Sequence, residues 1–340
     1  MTTIPGVDGD LSKMMHDVFS AHAATGENSA GAVNPGFWAS LSELGLSRLT
    51  GSIESGGSAA GWLEAAELLS AAAGAGVQLP LAEHDLLAGA LLEACSLAID
   101  DRLRTVAEFD SSGVARAVPW ASTAASIVTL WRSADSWWIA DVDVSAFEIV
   151  PGANQVGEPR DRLTVDTGSL RGRPIDDPLV EQYHLKGALA RAVQVCAALD
   201  RAMMLSCEHA TTRTQFGRPL ARFQAVQNLI ADTAAECALA RAATEAALAA
   251  AVHNEWSGDD LGFRVAVARS CTGHATTTVV RNAHQVHGAI GTALEHDLHR
   301  FTRAALAWRG EFGSVRYWDR RLAAAAAAAG PGGLWPLIAG

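Results

Sequence analysis

At 340 residues, with 49% apolar and 19% charged side chains, the chain is long enough for two or three domains with full-sized cores and is not a disordered protein. A formal net charge of −11 and the lack of any Lys/Arg run argue against a nucleic-acid or anionic-membrane partner. Five scattered cysteines (Cys95, Cys196, Cys207, Cys237, Cys271) without a C-x-x-C, and no basic segment leading into an apolar core at the N-terminus, set the expectation of a reduced cytoplasmic protein without a signal peptide.

Residues 9 to about 104 read as helices, with apolar positions at helical spacing in Trp62, Ala65, Ala66, Leu68 and Leu69, and again in Leu86, Leu87, Ala90, Leu91 and Leu92. The Gly/Ser-rich stretch Gly51–Gly61 reads as a loop. From Arg102 to about Asp166 the pattern becomes short, β-branched and aromatic. Val114–Pro119, Ser126–Trp131, Trp137–Val144, Phe147–Val150 and Leu163–Val165 are the predicted strands of a small β domain. Its tryptophans (Trp120, Trp131, Trp137 and Trp138) are expected to be core. Beyond the Asp176-Asp177-Pro178 turn everything reads as helix: Leu185–Ala210, Phe223–His253, Asp260–Val286, Leu298–Trp308, and Ser314 to about Ala329. Long helices with short loops predict an antiparallel bundle. The boundaries expected are 1–104, 105–176 and 177–340. No stretch is both long and apolar enough to span a bilayer; the alanine tract Leu322–Gly330 has only nine residues.

Two strings carry chemistry. Arg213-Thr214-Gln215-Phe216-Gly217-Arg218-Pro219-Leu220, with Phe223 and Gln227 after it, lies between two helical patterns. Gln285-Val286-His287-Gly288-Ala289-Ile290-Gly291 ends a later helix. A guanidinium binds pyrophosphate oxygens in a bidentate fork, and glycine-rich backbone lets N–H groups approach phosphate closely. In this order and spacing the strings resemble the R-x-x-F-G and Q-x-x-G-x-x-G signatures of the acyl-CoA dehydrogenase family. The resemblance implies a mainly α fold with an N-terminal helical domain, a middle β-barrel-like domain and a C-terminal four-helix bundle. It also implies that Arg213, Gln215, Phe216, Gln285, Gly288, Ala289 and Gly291 contact the ADP half of an FAD shared across a subunit interface.

The chain departs from the family at two places. Between Cys95 and Ala124 it carries neither a T-E-P-x-x-G-S-D segment nor a K-x-W-I-T-N strand, which in the family hold the flavin ring and the acyl thioester. The family's catalytic glutamate stands nine residues after an arginine, and nine from Arg303 falls on Phe312. Glu311 is adjacent, but one residue along a helix turns a side chain by about 100°. The family's alternative register for the base falls at about Gly187, next to Lys186. No residue is therefore assigned as the base, with Glu311 the one candidate.

These departures imply the shorter subunit of an α2β2 acyl-CoA dehydrogenase like those of actinobacteria acting on steroid (cholesterol) side-chain CoA thioesters. A full-length homologue would then supply the ring pocket and base, and an electron-transfer flavoprotein would take the electrons. Two alternatives stay open: a self-sufficient homotetramer with Glu311 as base, and a flavin-free scaffold. Two H-x-x-H pairs, His284/His287 and His296/His299, lack a partner with convincing ligand spacing, so no metal is expected.

Overall fold

Polar caps start the N-terminal helices. Asp8 accepts the Asp10 and Leu11 N–H groups, both at 3.0 Å, to open α1 (Gly9–Ala24). Asn34 accepts the Phe37 N–H at 3.1 Å to open α2 (Pro35–Glu43), whose first residue is the proline tolerated at that position. α3 (Trp62–Gly74) packs on α1. Its fully buried Glu67 accepts the Ser12 hydroxyl at 2.5 Å and the Ile4 N–H at 2.8 Å, and lies 3.1 Å from His16 Nε2. Those bonds hold the Glu67 carboxyl below its ordinary pKa against the opposing effect of burial. This computed structural model describes residues 4–26, 31–258 and 260–339, which form two units, Met1–Gly187 and Ala188–Gly340.

The next helical segment is π-helical over Ala82–Gly89 and continues as α4 (Ala90–Ala94). A π-helical stretch this long is uncommon, and this one buries polar side chains. His84 Nδ1 accepts the Arg104 N–H at 3.1 Å, and Asp85 accepts both the N–H and the hydroxyl of Thr50, at 2.9 and 3.0 Å. Burial, reinforced by the Arg48 and Arg104 charges, pushes the His84 imidazole down to about 3, and burial pushes Asp85 up to about 6.

Seven strands follow: β1 (Arg104–Phe109), β2 (Val114–Pro119), β3 (Ser126–Ser133), β4 (Ser136–Asp143), β5 (Glu148–Val150), β6 (Arg160–Thr164) and β7 (Arg173–Ile175). They form two sheets, in the orders β1-β3-β4-β7 and β2-β6-β5, with β1 and β3 parallel. The core holds Ala107, Phe109, Ile127, Trp131 and Leu163, with Trp138 packed against it. Trp120 is also buried, as expected for core tryptophans.

The predicted strands are present, but β1 and β7 were not anticipated. β1 is buried at five of its six positions, so it shows no alternation to read. β7 is three residues long and contains Pro174, which reads as punctuation.

The helices after Asp177 are as expected in number and type. α5 (Asp177–Thr212) starts earlier than the Leu185 predicted, because Asp176 accepts the Leu179 N–H at 3.1 Å and caps it. A two-stranded hairpin, β8 (Thr214–Gln215) and β9 (Arg218–Pro219), leads to α6 (Gln224–His253). α7 (Leu261–His287), α8 (Leu298–Trp308) and α9 (Val315–Ala339) complete the unit, with α9 broken at Gly330, where φ is 66°. α6 lies along α7, tied by Asn282 donating to the Leu229 carbonyl at 3.3 Å. α9 approaches α7 at Gly273, where a Cβ would come within 2.5 Å of Val315. The architecture is mainly α with a small β region and a C-terminal helical bundle. No helix among the described residues is long and apolar enough to cross a membrane.

His84 gives a pH signature. Its folded pKa of about 3 lies below the ordinary value of 6.5, so between these limits the unfolded chain binds the extra proton. The stability it contributes is complete above 6.5 and is lost as pH falls through that window. Chemical denaturation at pH 7.5 and 5 should show a larger loss for the wild type than for His84→Gln. Equal losses would remove the buried neutral imidazole from the account.

Candidate functional site

The R-x-x-F-G string folds as the β8–β9 hairpin. Thr214 pairs with Pro219 and Gln215 with Arg218, and Leu220 N–H donates to the Arg213 carbonyl at 2.9 Å. The tip residues Phe216 and Gly217 have φ of 51° and 78°. Positive φ at both central residues is what a two-residue hairpin turn demands. Glycine adopts it freely, but for phenylalanine the left-handed region costs about 1–2 kcal/mol. The Phe216 ring is also 90% exposed. Its one ring contact among the described residues is edge-on to Phe223, with centroids 6.2 Å apart, and most of its surface stays in water. Arg218 stacks over Phe223, 4.1 Å from the ring centroid, and Gln227 donates to the Ala221 carbonyl at 2.8 Å, fixing the base of the loop. Arg213 is exposed.

The Q-x-x-G-x-x-G string forms the end of α7. Gly288 (φ 62°, ψ −143°) terminates the helix in a conformation that side chains other than glycine rarely adopt. A single 3₁₀ turn, Gly288–Thr292, follows. Gly291 is required for packing: a Cβ there would lie 2.8 Å from the His287 Cβ and 3.0 Å from Leu298. Gln285, Gly288 and Ala289 are exposed on the outer side of this corner.

The fold brings the two strings together. His209, whose carbonyl accepts the Arg213 N–H at 2.9 Å, stacks on His287 with ring centroids 4.6 Å apart. His296 stands edge-on to His287 at 4.7 Å. Burial pushes the His287 imidazole down to about 4, with the neighbouring histidines adding to the effect; burial and then His296 and Arg213 lower His209. The H-x-x-H pairs of the sequence are not pairs in space. His284 Nε2 lies 3.0 Å from the Thr302 hydroxyl, and His299 Nδ1 lies 2.7 Å from the His296 carbonyl.

Glu311 sits in the turn between α8 and α9, just before Phe312 and Gly313, both at positive φ. Its carboxylate accepts Arg191 Nε at 2.7 Å, with the Arg191 side chain only 3% exposed and Glu311 19%. Arg191 also donates to Gln194 at 2.6 Å. The fully buried Arg269 donates to the carbonyls of Trp308, Arg309 and Glu311 at 3.3, 2.9 and 2.8 Å, capping the end of α8. Burial, then the Arg191 charge, lowers Arg269 to about 10, which leaves it protonated at neutral pH. Neither Arg191 nor Arg269 was singled out from sequence, since their partners lie far along the chain. Lys186, beside the alternative base position, is lowered by burial to about 8, with Glu93 acting the other way. It lines a narrow pocket with Leu87, Leu91, Leu179 and Tyr183.

Comparison with known proteins agrees with this geometry. Residues 185–326 match the family described as acyl-CoA dehydrogenase, C-terminal domain. That match runs from within α5 to within α9. It is 32% identical over 118 residues to acyl-CoA dehydrogenase IpdE2 of Mycobacterium tuberculosis, a stretch covering 35% of this chain and 34% of that relative. The chain thus spans about a third of that relative's length. Among solved structures, the ChsE4–ChsE5 complex from Mycobacterium tuberculosis aligns with a TM-score of 0.82 at 20% identity, over 94% of this chain and 96% of that one. The Tcur3481–Tcur3483 steroid acyl-CoA dehydrogenase variant aligns with a TM-score of 0.81 at 21% identity, over 94% and 97%. At such identities these structures show the fold.

The buried pair makes a mutational prediction. Arg191→Met, which strands the Glu311 carboxylate, should cost about 3–5 kcal/mol. Adding Glu311→Leu should recover most of that loss, because the charge no longer needs a partner. Denaturant unfolding of the two variants measures both; a single variant as stable as the wild type would show that the pair is dispensable.

Proposed function

We propose that this chain is the ADP-gripping subunit of a heteromeric FAD-dependent acyl-CoA dehydrogenase whose partner, a full-length homologue, supplies the flavin-ring pocket and the catalytic base. The observation that carries this reading is the strained, solvent-exposed Phe216 at the tip of a hairpin whose base adjoins the Gln285–Gly291 corner. Arg213 would pair with pyrophosphate, and Gln215, Phe216, Gln285 and the backbone N–H groups of Gly288, Ala289 and Gly291 would hold the rest of the ADP half. FAD, when bound, supplies the hydride acceptor for α,β-dehydrogenation of an acyl-CoA thioester, and an electron-transfer flavoprotein is the acceptor the family implies.

Removal of the α-proton requires a free carboxylate in near-attack geometry. Glu311 is instead engaged by Arg191 inside the bundle, and Gly187 offers no side chain in the other register. That engagement favours the companion-subunit reading over a self-sufficient homotetramer. The exposed Arg213 and Phe216 favour it over a flavin-free scaffold. A steroid side-chain CoA thioester is the proposed substrate class, by analogy with the steroid enzyme among the structural neighbours.

Two measurements on the complex with its partner test this. Arg213→Ala should remove charge-assisted hydrogen bonds worth about 1.5–3 kcal/mol, weakening FAD binding by roughly one to two orders of magnitude. Gln285→Ala should act in the same direction but less strongly. Unchanged FAD dissociation constants in both would reduce the two strings to structural features.

Glu311→Gln keeps the side-chain volume and can still accept from Arg191. Steady-state dehydrogenation of a bulky acyl-CoA with an artificial electron acceptor should be nearly unaffected by it. A fall of about a hundredfold or more, with assembly and FAD content preserved, would place the base on this chain.

A further inference from the structure

The side chains of His209, His287 and His296 converge from three separate elements: the last turns of α5, the last residue of α7, and the non-helical segment before α8. One ring nitrogen from each lies within 4.8 Å of those of the other two. We propose that this trio is a binding site for a borderline divalent transition cation of the Zn²⁺ class, with the fourth coordination position left to water.

His287 is the anchor. It is 5% exposed, and its Nδ1 faces the Ala283 carbonyl at 2.8 Å. A carbonyl only accepts, so Nδ1 carries the proton and Nε2 the lone pair. That Nε2 is buried without a hydrogen-bond partner among the described residues. An orphaned buried acceptor ordinarily costs about 1–3 kcal/mol. A ring present only to stack on His209 would not need to carry one. A backbone carbonyl fixing one nitrogen while the other points at a cation is the arrangement that orients metal-binding histidines.

His209 stacks on His287 from one side, with both rings near parallel at 24°. His296 closes the other side, 72° to His287. Its Nδ1 accepts the Leu298 N–H at 3.1 Å, a bond that cation binding displaces or turns away from. The segment Ala293–Asp297 is outside any helix, so this turn breaks no helical hydrogen bond.

Three neutral nitrogen donors and no carboxylate exclude Ca²⁺ and Mg²⁺, which take oxygen ligands, and suit Zn²⁺, Ni²⁺, Co²⁺ or Cu²⁺. Tetrahedral bonds of about 2.0–2.1 Å bring nitrogens to about 3.3 Å apart. The trio must therefore close by somewhat more than an ångström in its widest direction. Arg213, one turn beyond His209, is exposed, so water and salt screen its repulsion. A cation here would lock the base of the Arg213 hairpin to the Gln285–Gly291 corner. The inference stands on the imidazole geometry alone and does not require that either string bind flavin.

The test uses the untagged full chain, alone or in complex with its partner, stripped with a chelator and free of added FAD. ZnCl₂ is titrated by calorimetry and CoCl₂ by visible absorption. The expected result is saturable uptake of one cation per chain, with the intense absorption of tetrahedral Co²⁺. His209→Ala and His296→Ala should each weaken binding by at least the roughly 10–100-fold that loss of a mere supporting partner costs. His253→Ala, distant in sequence and exposed at the end of α6, should leave it unchanged. His287→Gln serves as a further variant, its circular dichroism checked for native helix content. No saturable uptake, or uptake that survives both alanine variants in a folded chain, would overturn the proposal. Because zinc stoichiometry is read without flavin, a failed flavin reading leaves this test intact, and the reverse holds too.

Discussion

The buried guanidinium of Arg269 is the interaction on which the C-terminal unit turns. It reaches from the middle of α7 to three carbonyls at the end of α8 and the turn beyond. Those carbonyls are the orphans that every helix end leaves, and one charge satisfies them together. The turn into α9 is thereby fixed against α7. Glu311 follows from this, since once its own carbonyl is pinned its carboxylate is delivered to Arg191 on α5. The half-buried carboxylate stabilises this turn while Arg191 matches its charge. Glu311 thereby ties the turn after α8 to α5.

The opposite logic governs the hairpin after α5 and the corner after α7. There the chain exposes what it would ordinarily hide. Phe216 is held at positive φ and almost fully solvated, and Gln285 and Arg213 face outward. The paired charge of Glu311 at one place and the exposed aromatic and cationic groups at the other are thus held by opposite means. Under the proposed function the chain contributes recognition of the flavin's diphosphate side and leaves proton transfer to its partner.

Much of this was legible in the sequence, for physical reasons. The bundle helices are long, and their apolar and alanine positions repeat at helical spacing, so α6 to α8 could be placed to within a residue, whereas α5 starts well before the Leu185 expected. The hairpin and the glycine corner could be read because each depends on residue types with few substitutes: Gly217 and Gly288 at positive φ, and Gly291 where a Cβ has no room. β1 could not be read because both its faces are buried, and β7 because three residues hold no pattern. The π-helical turn at Ala82–Gly89 has the composition of an ordinary helix. The Arg191–Glu311 pair joins residues 120 apart, and the histidine trio joins three elements, so neither leaves a local spacing. The H-x-x-H pairs contain two of the three histidines that converge in space, but pair neither with its spatial partner. His209 carried no signal at all.

The central claim is that this chain completes another subunit's flavin site instead of owning one. Expressing it alone and together with a full-length homologue, then counting FAD per protomer in each purified species, tests that claim most directly. The account predicts no FAD on the chain alone and FAD in the complex. A monodisperse homo-oligomer of this chain carrying one FAD per chain would contradict it.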